Sequence, residues 1–248
     1  MCSGGIGLSL VKEFVNGGAK VLITGRREEE LKRAQAQFPK HVLKYYVSDA
    51  GKEADRIRLF EQSTRDFPAL NVLINNAGIA KYVNQTEEIK QPWSARQEEL
   101  DINLSGPIHL CSLFIPHLLK QRQAAIVNVT SGLAFIPFTL DPLYSVSKAG
   151  LHKYSLALRV LLAGTPVRVV ELIPPALTGT KLGGAGNSHG DPVDDYCAAA
   201  YADFASGVLE SGFKRSNVMR TADRATQHSM MLAVHNMLPP GSFSTSTN

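Results

Sequence analysis

The stretch Thr130-Ser131-Gly132-Leu133-Ala134-Phe135-Ile136-Pro137-Phe138-Thr139-Leu140-Asp141-Pro142-Leu143-Tyr144-Ser145-Val146-Ser147-Lys148 decides the fold. It starts at the polar end of the apolar run Ala125 to Val129, which has the length and composition of a fully buried strand. It leads into an apolar-periodic helix from about Leu143 to Ala163. Ser131 therefore stands at the C-terminal tip of a strand. Tyr144 and Lys148 are four apart, on one helical face and one turn from each other. An ammonium beside a phenol favours the phenolate. At about 4 Å and an effective dielectric of ~20 the attraction is about 4 kcal/mol, enough to bring a tyrosine pKa from ~10 toward neutrality.

Working outward, the N-terminal Ser3-Gly4-Gly5-Ile6-Gly7 precedes Leu8, Leu10, Val11, Phe14 and Val15 at helical spacing. This reads as a glycine turn opening an amphipathic helix, a place where backbone N–H groups can approach a pyrophosphate. The strand Lys20 to Thr24 follows and ends in Gly25-Arg26-Arg27. A dinucleotide fold selective for NAD carries a carboxylate about 20 residues beyond its glycine turn, to bind the ribose 2′-hydroxyl. Here those positions hold arginine, whose fork of donors suits a 2′-phosphate, so NADP(H) is favoured over NAD(H). His41 to Val47 reads as the next strand, and Asp49 as the N-cap of a helix over Glu53 to Phe67. Val72-Leu73-Ile74-Asn75-Asn76-Ala77-Gly78 is a buried strand ending in amides and small residues. Asn75 is expected to tie neighbouring strands, while Asn76, Ala77 and Gly78 face a cofactor. A long helix is expected over about Glu98 to Gln121, burying Leu100, Leu104, Ile108, Leu110 and Leu113.

Ser131, Tyr144-x-x-x-Lys148, the Asn-Asn-Ala-Gly strand end and Asn103 within Asp101-Ile102-Asn103-Leu104-Ser105-Gly106 occur together in one chain. In this the sequence resembles the short-chain dehydrogenase/reductase family. The resemblance covers residues 1 to about 213 and implies one α/β domain, a doubly wound parallel sheet of Rossmann type. It implies hydride transfer between NADP(H) and a carbonyl or secondary alcohol. Tyr144 would be the acid/base, Lys148 would lower its pKa and hold the nicotinamide ribose, Ser131 would bind the carbonyl oxygen, and Asn103 would bend its helix and support a proton relay. The cofactor would be held by Ser3, Gly5, Ile6, Gly7, Arg26, Arg27, Val47, Asn76, Ala77, Gly78, Tyr144, Lys148 and Pro174. Either Thr178 or Thr180 would bind the nicotinamide carboxamide. Self-association as a homodimer or homotetramer, through the 98–121 and 143–163 helices, is implied too.

The chain departs from the family pattern in two places. The first glycine of Gly-x-x-x-Gly-x-Gly falls on Met1, and the strand that should precede it is missing, so the sequence reads as N-terminally incomplete. Tyr46 stands where the family has an aspartate beside the adenine. These departures support the competing readings, a non-catalytic dinucleotide-binding or scaffolding protein or a truncated inactive product. The complete Asn103, Ser131, Tyr144 and Lys148 set argues for the enzyme.

Composition narrows the remaining classes. At 248 residues and 44% hydrophobic content the chain can bury one sizeable core. A net charge of +4 with no basic and aromatic cluster does not point to nucleic acid. Cys2, Cys111 and Cys197 lack metal-ligand spacing and read as reduced structural thiols of a cytoplasmic protein, with no metal site. There is no run of about 18 apolar residues and no signal-peptide pattern. The segment Thr178 to Asp194, rich in Gly, Thr, Ser and Asp, reads as a mobile substrate loop; with Lys81 to Ser94 it would line a small-molecule substrate. The Val193 to Leu209 helix would act as a lid. Residues 214–248 read as a partly helical extension, with a helix near Thr221 to Met237 and a disordered tail from Gly241.

Overall fold

The computed structural model describes residues 5–81, 92–180, 182 and 190–236. Ser3, positions 82–91, much of the 178–194 loop and the tail from Gly241 lie outside the described residues. Strands and helices alternate in the order α1 (Gly5–Asn16), β1 (Val21–Gly25), α2 (Glu28–Gln35), β2 (Leu43–Val47), α3 (Glu53–Asp66) and β3 (Val72–Asn75). Then come α4 (Trp93–Leu100), a π-helical turn (Asp101–Ser105), α5 (Gly106–Leu118), β4 (Ala124–Val129), α6 (Pro142–Leu161) and β5 (Val167–Ile173). A two-residue parallel pair, β6 (Leu177–Thr178) with β7 (Asp191–Pro192), precedes α7 (Val193–Ser206), β8 (Glu210–Gly212), α8 (Arg215–Thr221) and α9 (Arg224–Asn236).

Every strand pairing is parallel, as alternation of strand and helix requires. The ladders form the order β3-β4-β5-β8 and a separate pair β1-β2. Among the described residues no ladder joins β1 to β3. Successive residues of β4 supply opposite faces of the sheet. Ala125, Val127 and Val129 pack with Leu10 of α1 and Tyr196, Cys197 and Ala200 of α7, whereas Ala124 and Ile126 pack with Leu110, Phe114 and Leu118 of α5 and Leu158 of α6. The sheet is thus wound on both sides. Helix α1 also contributes Val11 to a third cluster, with Ile23, Leu31, Ala34 and Leu43.

The helix expected over 98–121 differs in two ways. It begins earlier, at Trp93, and it is broken by the π turn around Asn103. A π turn inserts one extra residue and rotates the C-terminal part of the helix by about 100°. Leu110 is buried as expected, while Leu100, Leu104, Ile108 and Leu113 are half-buried, and the buried face also runs through Ile102, Cys111, Phe114 and Leu118. At Asn103, where a local bend was expected, the structure has this π turn. Asp49 does not cap α3: Lys52 is the N-cap residue, while the Asp49 carboxylate accepts the Gly51 N–H in a local turn and its own N–H donates to Asp55. The C-terminal helix spans Arg224–Asn236, close to the expected range, and none of its residues is buried.

The π turn is permitted by Gly106, where a Cβ would lie 2.7 Å from the Ala50 carbonyl oxygen and 2.9 Å from that of Asp101. Glycine to alanine inside an exposed helix normally stabilises by about 0.5–1 kcal/mol. At Gly106 the obstacles are backbone atoms that cannot rotate away, so overpacking of about 1–3 kcal/mol should outweigh that gain. Gly106→Ala is expected to lower the midpoint of urea unfolding; a midpoint equal to or above the parent's would refute this origin of the turn.

Candidate active site

In a parallel sheet all strands end on one edge, and ligands bind there. Here the tips of β1, β3, β4 and β5 deliver Arg26 and Arg27, Asn76 to Gly78, Ser131, and Pro174 to that edge. Helix α6 carries Tyr144 and Lys148 into the same region. It starts sharply because Pro142 occupies its first turn and the Asp141 carboxylate caps it by accepting the Tyr144 N–H at 3.1 Å.

Tyr144 is buried, and Lys148 lies one turn on with its Nζ 5.6 Å from the Tyr144 ring centroid. The Lys148 ammonium donates to the Val129 carbonyl oxygen at 2.9 Å, tying the helix to the β4 tip just before Ser131. Burial lowers the Lys148 pKa to about 8, an effect partly opposed by the nearby Glu99 carboxyl. Asn103 is fully buried: its Oδ1 accepts the Ile79 N–H at 2.9 Å, and its Nδ2 donates to the Ile79 carbonyl at 2.8 Å and to Ser147 Oγ at 3.2 Å. It therefore clamps the chain leaving β3 against α6. A Cβ on Gly78 would stand 3.5 Å from both Asn103 Oδ1 and Lys148 Nζ, so these three expected residues meet. Ser131 opens a short 3-10 turn, Gly132–Ala134, and its Oγ accepts the Leu133 N–H at 3.1 Å.

The expected nucleotide side divides. Gly5 adopts φ +52° at the start of α1, a conformation suited to glycine, with Thr180 3.4 Å from where its Cβ would stand. Thr180 is thereby at the glycine turn, whereas Thr178 Oγ1 is bonded within the β6–β7 pair to Asp191. Gly7 is buried and Ile6 packs on the sheet core. Pro174 is buried, and its carbonyl accepts the Gly132 N–H at 3.0 Å. Arg26 pairs with Glu98 at 3.1 Å and Arg27 with Glu30 at 2.7 Å, both exposed. Val47 ends β2 and is exposed; Tyr46 before it donates to Asp66, and burial together with that carboxylate pushes its phenol up to about 12. Asn75 is a structural tie as expected, donating to Asn128 Oδ1 at 2.8 Å. Burial pushes the Cys111 thiol up to about 12 and Cys197 to about 11, so neither is primed as a nucleophile.

A family model described as short chain dehydrogenase matches residues 2–189. The chain belongs to this family. The uncharacterized oxidoreductase DltE of Bacillus subtilis (strain 168) is 44% identical over 177 residues, 70% of this chain and 68% of that protein. The NADP-dependent 3-hydroxy acid dehydrogenase YdfG of Salmonella typhi is 29% identical over 182 residues, 71% of this chain and 70% of its own. A short-chain dehydrogenase from Sphingobium yanoikuyae in complex with NADPH superposes with a TM-score of 0.76 at 18% identity, over 99% of this chain and 96% of that one. As a short-chain dehydrogenase the protein is an oxidoreductase with a Rossmann-type parallel sheet.

Sequence reasoning missed three residues at this site. Arg96, Glu99 and Asp141 are buried together beside α6, with Arg96 3.5 Å from Asp141 and 3.7 Å from Glu99. Asp141-Pro142 carried a helix-start signal that could have revealed one of them. Glu99 and Arg96 carried none, since charged residues on a helix usually face water.

A lysine held below its unfolded pKa binds fewer protons folded than unfolded between about pH 8 and ~10.4. Its burial therefore weighs on stability in full below pH 8, and the burden fades as pH rises toward 10. Lys148→Met should raise the thermal midpoint at pH 7, worth up to about 3 kcal/mol, with the gain shrinking by pH 10. A lower midpoint at both values would contradict the desolvation account.

Proposed function

We propose that this short-chain dehydrogenase transfers a hydride between NADP(H) and a small carbonyl or secondary alcohol substrate, using Tyr144 as the acid/base. The observation that carries the reading is the buried Tyr144 and Lys148 pair beside Gly78 and Asn103, at the strand edge where the Gly5 turn also opens.

The residues present suit the cofactor. The positive-φ glycine at the head of α1 suits the close approach of a pyrophosphate, and Gly78 leaves the side of Lys148 clear for a ribose. Arg26 uses one nitrogen on Glu98, and a guanidinium has five N–H donors, so a 2′-phosphate can be met without breaking that pair. The similarity to a protein named as NADP-dependent and the fold shared with an NADPH complex support the same choice.

When bound, the cofactor supplies the hydride to the carbonyl carbon or accepts it from the alcohol. Tyr144 gives its proton to the substrate oxygen as the C=O bond becomes C–O–H, and takes that proton back in oxidation. Lys148 stabilises the phenolate left behind and Ser131 donates to the substrate oxygen as charge gathers there. Asn103 holds the Ile79 main chain against α6, beside the route by which a solvent proton returns to Lys148. Self-association through α5 and α6 and a cytoplasmic setting complete the reading.

Tyr144→Phe keeps the ring and its packing but loses the proton. It should abolish NADPH oxidation by a carbonyl panel while leaving NADPH-induced thermal stabilisation nearly unchanged; comparable turnover would sink the assignment. Replacing Arg26 and Arg27 together by Ala should weaken NADPH binding roughly tenfold or more, by loss of charge-assisted hydrogen bonds, with little change for NADH. Equal weakening of both cofactors would show that neither arginine reads the phosphate.

A further inference from the structure

Past Gly78 the chain leaving β3 is gripped by side chains at alternate residues, the pattern that a neighbouring strand would make with its backbone. Asn103 takes both main-chain groups of Ile79: its Oδ1 accepts the N–H at 2.9 Å and its Nδ2 donates to the carbonyl at 2.8 Å. Lys81, two residues on, is held in the same way by two side chains. Asp141 Oδ2 accepts its N–H at 2.8 Å, and Arg96 Nη1 donates to its carbonyl at 3.2 Å. Both grips are anchored on α6. Asn103 Nδ2 also donates to Ser147 Oγ at 3.2 Å, and Asp141 Oδ1 accepts the Tyr144 N–H at 3.1 Å. Arg96, on α4, reaches Asp141 through its other terminal nitrogen at 3.5 Å, so one planar guanidinium touches the carboxyl and the Lys81 carbonyl together. Asn103, Arg96 and Asp141 are all buried.

Tyr144 stands in the first turn of α6, where an N–H has no acceptor within its own helix. The Asp141 carboxyl supplies one. Its two oxygens serve two main-chain N–H groups, one at the head of α6 and one on the chain that carries Gly78. A side-chain amide has a single acceptor oxygen and cannot serve both. We propose that Asp141 is the positioning residue of Tyr144: backed by Arg96, it sets the head of α6 against the chain leaving β3 and so fixes where the Tyr144 ring stands relative to Lys148. Asp141 acts through the Tyr144 main chain, and Arg96 acts through Asp141 and Lys81.

Burial pushes the Asp141 carboxyl up, and the Tyr144 and Lys81 N–H groups oppose that shift. The grip needs an acceptor lone pair at each oxygen, which a carboxyl retains in either protonation state. What it requires is geometry, and a displacement of about 1 Å at a reacting group can cost on the order of a hundredfold in rate.

The inference rests on reading Tyr144 as the acid/base, so the deciding measurement follows its ring rather than turnover. In a chain deuterated except at tyrosine rings and lysine side chains, Tyr144 and Lys148 are identified by signal loss in Tyr144→Phe and Lys148→Met. A nuclear Overhauser contact between them is expected in the parent, where Lys148 Nζ is 5.6 Å from the ring centroid. Asp141→Asn keeps the size of the side chain and removes one acceptor, so that contact should weaken roughly twofold or more. An undiminished contact overturns the proposal even where the variant is less stable, because a residue that adds stability alone leaves the folded site unchanged. If Asp141→Asn does not fold, Arg96→Lys takes its place. It keeps the charge without the planar fork, and the same weakening is expected, with an undiminished contact again overturning the proposal. In the parent, the Tyr144 and Lys81 amides should exchange with solvent about a hundredfold or more slowly than exposed amides, and fast exchange of either overturns the grip itself. With any carbonyl that the parent reduces, Asp141→Asn should lower kcat roughly tenfold or more while KM stays within about threefold; an unchanged kcat counts against the proposal. Failure of every carbonyl to turn over would sink the proposed reaction and leave the ring contact to decide the role of Asp141.

Discussion

An ammonium removed from water costs several kcal/mol unless the protein supplies acceptors and compensating charge. Lys148 is only 3% exposed, and much of the surrounding architecture answers that constraint. Its hydrogen bond to the Val129 carbonyl requires α6 to cross the sheet at the end of β4. That crossing in turn requires the helix to begin abruptly, which the Asp141 cap and Pro142 ensure. The neighbouring helix must come close without a full set of regular turns, and the π turn at Asn103 and the bare Gly106 allow it.

The strands beneath the site are held by side chains as well as by ladders. Asn75 on β3 donates to Asn128 on β4, Asn128 donates to Ser155 on α6, and Ser155 donates to the Leu151 carbonyl of the same helix. A second chain starts at Thr130, beside Ser131, whose hydroxyl donates to Glu171 on β5, and Glu171 meets His152 on α6. Polar groups this deep are costly unless fully partnered, and once partnered they resist sliding of one layer over another. Tyr144, Lys148 and His152 succeed one another at four-residue steps, so the second chain fixes the same face of α6 that carries Tyr144 and Lys148. The distance between the β4 tip and that face is set by hydrogen-bond lengths, a stiffer gauge than apolar packing.

Most of this was legible wherever the information is local. Alternating strand and helix signals predicted the parallel sheet, and the i,i+4 spacing of Tyr144 and Lys148 predicted their shared face. The Asn-Asn-Ala-Gly strand end marked Asn75 as a structural tie, which it is, and its Gly78 stands beside Lys148. Of the five positions expected to be buried along the 98–121 segment, Leu110 is buried and the other four are half-buried, since periodicity assumes an uninterrupted helix and a π turn breaks this one. The Asp49 cap was misjudged because a carboxylate in a turn has several amides within reach, and here Gly51 is nearer. The Arg96, Glu99 and Asp141 set was invisible for a different reason: its members lie on separate elements and only the tertiary fold makes them neighbours.

Helix α1 has a place in the molecule that its length of 12 residues does not suggest. Leu10 is part of the core beneath β4 and β5, and the next residue, Val11, is part of the core around β1 and β2. The two ladders, which share no backbone hydrogen bond among the described residues, are thus joined through adjacent side chains of one helix. The same helix opens at Gly5, against Thr180. A tilt of one ladder relative to the other would act on the same helix that opens at the glycine turn, so the set of that turn and the alignment of the two halves are mechanically linked. A ligand that steadies the turn would, by the same lever, brace the sheet.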